Sequence, residues 1–235
     1  MLTQPIRYCK IETGVDFMKK IISFLIIASM LLTTAVAMSY EGALSEIDKT
    51  ELKKYHIFEG DTDGNLRLED YITRGEVAKM LCVTMGIDEN EEITTTFPDV
   101  PENCWYYKYA NILKSKGVFN GDEKGNFNGE RFISHNEVCK ILICAVGLGP
   151  AAEELLGYPK GYTEYALMYR IYWDDLKNMD ENASRNDVAA MFLRSIDIPH
   201  FESYFSEADQ KTKFICYDGT DIYELRTFRT ILESK

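Results

Sequence analysis

An internal repeat constrains this sequence more than any other feature does. Residues 60–66 (GDTDGNL) recur as residues 121–127 (GDEKGNF), and residues 72–79 (ITRGEVAK) recur as residues 133–140 (ISHNEVCK). Both pairs share one offset of 61 residues, so no insertion separates them. A third copy, residues 183–191 (ASRNDVAAM), begins 50 residues after the second copy. Repeated units of this size bury their apolar faces against one another, which predicts a repeat architecture.

Each copy carries the signature of a capped helix. A Ser or Thr is followed three residues later by an acid, the pattern of a capping box, in the pairs Thr73 and Glu76, Ser134 and Glu137, and Ser184 and Asp187. An apolar residue before each cap and a valine after it form a hydrophobic staple. A second helix precedes each cap, at about residues 44–55, 105–116 and 162–172. The sequence therefore predicts a mainly α fold of three helix–turn–helix repeats.

Composition and charge exclude several functions. The 235 residues are 46% hydrophobic and 27% charged, which is typical of globular protein, and the formal net charge is −12. So acidic a chain is a poor candidate for nucleic-acid binding, which depends on excess Lys and Arg. Its three histidines are far apart in the sequence, and no phosphate-binding or nucleophile motif is present. We expect no metal, no cofactor and no catalytic residues, because the acids form no convincing pair.

The first 37 residues resemble a targeting segment. Two lysines, Lys19 and Lys20, precede an apolar run at residues 21–32 and an Ala-Val-Ala site at residues 35–37, as in a secretory signal peptide. We expect translation to begin at Met18; the alternative for this segment is an uncleaved N-terminal anchor. Removing residues 1–37 takes away four bases and two acids, which leaves a net charge of −14. The mature chain is then expected to work outside the cytoplasm, with no membrane span.

Five cysteines follow the predicted cleavage site: Cys82, Cys104, Cys139, Cys144 and Cys216. An odd number in a secreted chain argues against a full disulfide framework. Because Cys82 and Cys139 lie in apolar helical segments, we expect them to be buried thiols rather than bridge partners or metal ligands.

The chain resembles the S-layer homology family of bacterial surface proteins. The residues that carry the resemblance are Phe97-Pro98-Asp99-Val100, Trp105, Tyr109-Ala110, the segments 117–121 and 125–127, and the cap tetrad Thr73-Arg74-Gly75-Glu76, which is Thr-Arg-Ala-Glu in the family. The resemblance covers about residues 43–198. It divides the chain into a leader (1–37), repeats at 43–87, 95–148 and 155–198, the third of them degenerate, and a tail at 200–235.

The resemblance implies a pseudo-threefold bundle that holds a cell-surface protein on the wall without a covalent bond. The implied ligand is an acidic secondary cell-wall polysaccharide, often with a pyruvyl ketal, bound in grooves that contain the tetrad arginine. Arg74 and Arg185 would bind it, since each occupies the first position of a helix beside backbone N–H groups that we expect to be unpaired. Trp105 is a candidate for stacking on a sugar, although a core position is equally consistent with an aromatic residue.

Departures from the family leave other functions open. His135 stands where the second tetrad should have Arg, and because His is mostly neutral at pH 7 this groove is expected to be the weakest. The third repeat lacks the Gly-Asp turn. A secreted scaffold that has lost wall binding is therefore the main alternative, and a cryptic hydrolase is a more remote one. Residues 59–70 also partly match a calcium-binding loop, but a generic turn explains them better.

The tail after Pro199 has a different pattern. Residues 214–217 and 222–225 flank Asp218-Gly219 and predict a short β-hairpin, and residues 226–233 predict a short helix. The sequence does not identify a cargo.

Overall fold

The structure is a computed structural model that describes residues 9–11, 44–61, 63–88, 90–172, 178–206, 211–216 and 226–235. The chain divides into two units, one of residues 42–198 with 227–235 and one of residues 1–41 with 199–226. Of the predicted leader at residues 1–37, the structure describes only residues 9–11. No helix in the described part of the chain is long and apolar enough to span a membrane.

The larger unit is helical, as the sequence predicts. In the described residues its helices are α1 (Glu46–Lys54), α2 (Arg74–Thr84), α3 (Tyr107–Ser115), α4 (His135–Ala145), α5 (Gly149–Leu155), α6 (Lys160–Met168), α7 (Arg185–Ser195) and α8 (Phe228–Glu233). The pairs α1–α2, α3–α4 and α6–α7 correspond to the three predicted repeats. Helix α5 is an addition that the repeat pattern does not indicate. Helix α6 ends before the predicted residue 172, because Arg170 adopts a left-handed backbone conformation with φ of 56°.

The three equivalent helices α2, α4 and α7 begin directly after the predicted caps. In α2, Thr73 Oγ1 accepts from the Glu76 backbone N–H at 3.3 Å, and Glu76 Oε2 accepts from the Thr73 N–H at 2.9 Å. Ser134 and Glu137 make the same reciprocal pair in α4. In α7, Ser184 caps the Asp187 N–H at 3.1 Å, but the reciprocal bond is missing. The shorter Asp187 side chain contacts His135 instead, so the third predicted capping box is only half formed.

Backbone hydrogen bonds join these three helix starts in a closed ring. Ile133 N–H donates to Ile72 C=O at 3.1 Å, Ala183 N–H to Ile133 C=O at 2.7 Å, and Ile72 N–H to Ala183 C=O at 3.3 Å. All three residues are fully buried, as are the valines that complete the predicted staples. The ring is the axis of a pseudo-threefold bundle, because each repeat donates to one neighbour and accepts from the other.

The Gly-Asp turns have the same local structure in both repeats that contain them. Asp61 Oδ1 accepts from the N–H groups of Asp63 and Asn65, both at 3.0 Å. Asp122 accepts from the equivalent pair, Lys124 at 2.9 Å and Asn126 at 2.8 Å. These bonds support the interpretation as a turn rather than a calcium loop. Among the described residues no group of three or more His, Cys, Asp or Glu side chains could hold a metal ion.

The smaller unit contains an antiparallel sheet with strand order β1–β3–β2, formed by β1 (Cys9–Ile11), β2 (Phe201–Ser206) and β3 (Lys211–Cys216). Residues 214–216 belong to β3, which pairs with β2 on one edge and with β1 on the other. The predicted turn and second strand lie outside the described residues. Alternation identifies a strand, whereas the choice of partner depends on tertiary structure.

The helical cysteines Cys82 and Cys139 are buried, as expected. Cys82 is 3% exposed and Cys139 is fully buried, whereas Cys104 and Cys144 are partly exposed. Burial also raises the pKa of the Cys139 thiol, which disfavours the reactive thiolate.

The N-cap of α2 should contribute measurably to stability. We expect Thr73→Ala to lower the free energy of unfolding by about 1 kcal/mol, because the Glu76 backbone N–H loses its acceptor, the Thr73 hydroxyl oxygen. Urea denaturation followed by helical circular dichroism measures the change. The control is Thr96→Ala, which truncates an exposed side chain and should change stability by less than about 0.5 kcal/mol. Equal effects of the two substitutions would contradict the assigned cap.

Native thiol labelling tests the cysteine assignment. We expect Cys104 to react with a maleimide well before Cys82 or Cys139, because both of the latter are buried and burial disfavours the Cys139 thiolate. Peptide mass spectrometry at increasing times gives the rate for each residue, and labelling in urea is the control for complete reactivity. Labelling of Cys139 as fast as Cys104 would show that α4 is not packed as described.

Candidate functional site

A second ring, made of side chains, surrounds the backbone ring. The first residue of each of the helices α2, α4 and α7 contacts the third residue of the next one. The three contacts are Arg74 Nη1 to Glu137 Oε1 at 3.0 Å, His135 Nε2 to Asp187 Oδ2 at 3.1 Å, and Arg185 Nη1 to Glu76 Oε1. The candidate arginines and the capping acids thus belong to one cyclic network.

The first backbone N–H groups of these helices are already bonded, which corrects our expectation that they are unpaired. The donors at the first two positions each reach a carbonyl of the turn that precedes another helix of the ring. The pairs are Arg74 to Arg131, Gly75 to Gly129, His135 to Glu181, Asn136 to Met179, Arg185 to Asp70 and Asn186 to Leu68. The cap satisfies the third donor. A helix N-terminus saturated in this way offers no backbone donors to an anion.

Arg74 is held on several sides and is only 7% exposed. Its Nε donates to the Phe127 carbonyl at 2.8 Å, and its guanidinium lies 5.2 Å from the Phe119 ring centre. Burial lowers its pKa from the usual value, and the Glu137 carboxylate opposes this shift. Its Nη2 makes none of these bonds.

Arg185 repeats this arrangement with equivalent residues. Its Nε donates to the Leu66 carbonyl at 2.9 Å, and its guanidinium lies 4.8 Å from the centre of the Phe58 ring. Leu66 and Phe58 precede Phe127 and Phe119 by the same 61 residues that separate the repeats. Arg74 and Arg185 therefore lie in two separate environments that are built from equivalent residues.

His135 links α4 to α7 through its contact with Asp187, which is one of the three side-chain contacts of the ring. Its ring is buried, with Nε2 facing Asp187 and Nδ1 lying 3.3 Å from the Glu181 carbonyl oxygen. Both partners are acceptors, so only the imidazolium form can donate to both of them. His135 is thus engaged within the ring, as the two arginines are.

Two equivalent pockets open beside the arginines. One of about 310 Å³ contains Arg185, and one of about 190 Å³ contains Arg74. Each is lined by an arginine, a ring glutamate, a lysine, a buried phenylalanine, a glycine and one exposed aromatic residue. The sets are Arg185, Glu76, Lys79, Phe58, Gly60 and Trp105 in the Arg185 pocket, and Arg74, Glu137, Lys140, Phe119, Gly121 and Tyr158 in the Arg74 pocket.

The neighbours Trp105 and Tyr106 have different environments. Trp105 is 53% exposed and lines the Arg185 pocket, whereas Tyr106 is 5% exposed. Tyr106 packs closely against Gly75 and Gly129, where an added Cβ would lie 2.7 Å and 2.4 Å from its ring. This contact explains why Gly75 replaces the alanine of the family tetrad. Of the two roles left open, Trp105 has the exposed position that stacking on a ligand requires.

Sequence reasoning missed several pocket residues. Lys79 and Lys140 end the repeated octapeptides, so the shared offset was a signal for them. Phe58 and Phe119 could be found in the same way. Tyr158 enters the Arg74 pocket from the segment between α5 and α6. It lies two residues before α6, as Trp105 lies two residues before α3, so this shared place was a signal for it.

Two ring carboxylates have perturbed pKa values. For Glu137, burial alone would raise the pKa, but hydrogen bonds from Arg131 and Ser134 and the nearby Arg74 charge lower it below the ordinary value. For Asp187, burial is likewise outweighed by hydrogen bonds from His135 and Ser184, and its pKa is also lowered. A carboxylate whose folded pKa is depressed stabilises the fold above its unfolded pKa, and this contribution is lost as the pH falls through the folded pKa.

Protonation of Glu137 and Asp187 in acid should therefore weaken the contacts of the side-chain ring. We expect the melting temperature of the helical unit to fall as the pH drops below about 4.5, the ordinary value for Glu137, and we expect Glu137→Gln to flatten that part of the profile. Thermal melts between pH 7 and pH 3 provide the measurement. Glu123→Gln is the matched control, since Glu123 is exposed and outside the ring, and it should leave the profile unchanged. Identical profiles for both variants would refute the role of Glu137.

Comparison with known proteins finds a family model that matches part of the chain. Residues 96–139, which contain the Phe97 motif, helix α3 and the start of α4, match the S-layer homology domain. The chain is 30% identical over 90 residues to an uncharacterised cell wall amidase of Bacillus anthracis, covering 38% of this chain and 17% of the relative. It is 26% identical over 155 residues to the surface-layer 125 kDa protein of Lysinibacillus sphaericus, covering 60% and 13%.

A third relative is the outer membrane protein alpha of Thermotoga maritima, 44% identical over 41 residues that cover 17% of this chain and 10% of the relative. The chain thus spans less than a fifth of the length of each of these proteins. The matched residues 96–139 contain one of the three capped helix starts, that of α4. Through these residues the chain is similar to the S-layer homology domain, and its relatives include a surface-layer protein and a cell wall amidase.

Proposed function

We propose that this chain is a secreted surface protein whose S-layer homology repeats bind, without a covalent bond, an acidic secondary polysaccharide of the cell wall. A pyruvyl ketal is the candidate acidic group. The observation that carries the proposal is the pair of equivalent pockets, each with cations beside an exposed aromatic ring. Two relatives are a surface-layer protein and a cell wall amidase, which supports a location at the wall.

The pocket chemistry suits an acidic sugar. Trp105 and Tyr158 are 53% and 48% exposed, so each offers a ring face on which a sugar can stack. The neighbouring arginine and lysine provide charge-assisted hydrogen bonds to a carboxylate. Because the whole chain has a net charge of −12, long-range attraction to a polyanion is absent, and affinity has to come from these local contacts.

A scaffold that has lost wall binding is the second candidate function. The specific observation in its favour is the saturated ring. Nε and Nη1 of Arg74 and of Arg185 are already bonded within the protein, and the helix N-terminal donors are occupied. In this function the ring would serve only to close the bundle.

A sedimentation assay with purified sacculi distinguishes the two functions. We expect the chain to bind sacculi that retain their secondary polysaccharide and not sacculi stripped of it. Tyr158→Ala should weaken binding by about 1–2 kcal/mol, because it removes an exposed stacking surface. Tyr71→Ala is the matched control, since Tyr71 is 54% exposed but lines neither pocket, and it should bind as the wild type does. Failure of the wild type to bind would leave the scaffold function.

The ring residues should not be equivalent in binding. We expect Arg74→Ala to lose about 2 kcal/mol more affinity for purified wall polysaccharide than His135→Ala. Calorimetric titration measures the affinities, and circular dichroism confirms that each variant is folded. Wild-type affinity for Arg74→Ala would show that the assigned site is wrong.

A further inference from the structure

We propose that only the Arg74 pocket accepts an anionic group and that Lys140 is its direct contact, whereas the Arg185 pocket is neutralised by the chain's own carboxylates. The inference deepens the proposed function and rests on it. The ligand chemistry is a carboxylate or phosphate carried by a wall glycan.

In the Arg185 pocket every cation has an acidic partner. Lys79 Nζ lies 3.3 Å from Glu59 Oε2, and Arg67 Nε lies 3.4 Å from Asp70 Oδ2. Arg185 is paired with Glu76 in the ring. An anion that entered this pocket would have to displace one of these carboxylates or lie beside it, and like charges at such distances disfavour binding.

The equivalent positions of the Arg74 pocket carry different charges. Glu59 corresponds to Asn120, which is neutral, and Asp70 corresponds to Arg131, which reverses the charge. Arg131 contacts Glu137 with Nη2 to Oε1 at 2.6 Å and with Nη1 to Oε2 at 3.0 Å. Glu137 is therefore shared by two arginines, Arg131 and Arg74, and has no capacity to neutralise a third cation.

Lys140 is that third cation. In the part of the chain that the structure describes, it has no carboxylate within salt-bridge distance. Its Nζ lies 5.0 Å from the centre of the Tyr158 ring and 5.4 Å from that of Tyr162. The aromatic faces hold the ammonium group at the pocket wall without using its hydrogen-bond donors. Those donors are available to an anion whose sugar stacks on the exposed Tyr158 ring.

Two matched pairs of substitutions test this asymmetry in the folded full chain. Lys140→Gln should weaken binding of pyruvylated wall polysaccharide about tenfold, whereas Lys79→Gln should change it by less than about twofold. Asn120→Glu should weaken binding as Lys140→Gln does, because it supplies Lys140 with the partner that Lys79 has. Glu59→Asn should free Lys79 and raise the calorimetric stoichiometry from one site to two. Equal losses for the two lysine variants, or two sites in the wild type, would overturn the proposal.

Titrations with different polymers identify the source of the anion. The same titration is made with the depyruvylated polysaccharide and with a phosphate-bearing teichoic acid. Binding of only the pyruvylated polymer assigns a carboxylate, and binding of only teichoic acid assigns a phosphate. Retention of full affinity by the depyruvylated polymer, with no effect of Lys140→Gln, overturns the role of Lys140.

A small-anion titration separates failure of this inference from failure of the proposed function. Lysine-labelled protein is titrated with pyruvate and with inorganic phosphate, and the side-chain ε-methylene resonances of Lys140 and Lys79 are followed by NMR. We expect Lys140 to shift at lower anion concentration than Lys79. If no polymer binds but Lys140 still responds selectively, the wall ligand is wrong and the charge asymmetry stands. If both lysines respond equally, the asymmetry is wrong, whatever the polymers do.

Discussion

Three backbone hydrogen bonds between Ile72, Ile133 and Ala183 are the contact on which the rest of the helical unit depends. They are cyclic, so none of the three repeats can complete its own connection alone. The first turn of each of the helices α2, α4 and α7 then faces the loop that precedes another of these helices. The carbonyls of that loop accept hydrogen bonds from the N–H groups of the first turn. Buried helix termini need such partners, and here each repeat supplies them to a neighbour.

This closure has a consequence for recognition. An S-layer homology repeat presents an arginine at a helix start, which from sequence resembles an anion site. In the closed bundle the helix dipole and backbone donors are used internally, and two of the three Arg74 guanidinium nitrogens bond to Phe127 and Glu137. Under the proposed function, recognition falls to side chains one or two turns further along the helix and to exposed aromatic residues. Lys140 and Tyr158 are in that position.

Repeated architecture also allows equivalent sites to diverge in charge while the fold stays unchanged. Positions 59 and 120 lie on exposed turns, and neither side chain contributes to the core. Replacing an amide by a carboxylate there costs little stability, yet it decides whether the neighbouring lysine is paired. Lys79 and Lys140 occupy the same place in the repeat, but Glu59 holds only the first of them. Under the proposal for the Arg74 pocket, divergence at such positions changes ligand preference while the fold stays unchanged.

Spacing along the chain is enough to predict the helix starts, the staples and the Gly-Asp turns, because these are formed by residues within about six positions of one another. Thr73 with Glu76, and Asp61 with Asn65, could be identified in this way. The bonding of the helix N-termini, the central place of β3 in its sheet and the contact of His135 with Asp187 could not. Each needs a partner far away in the sequence, such as Asp187 for His135 or β1 for β3, and packing rather than a local pattern brings those partners close.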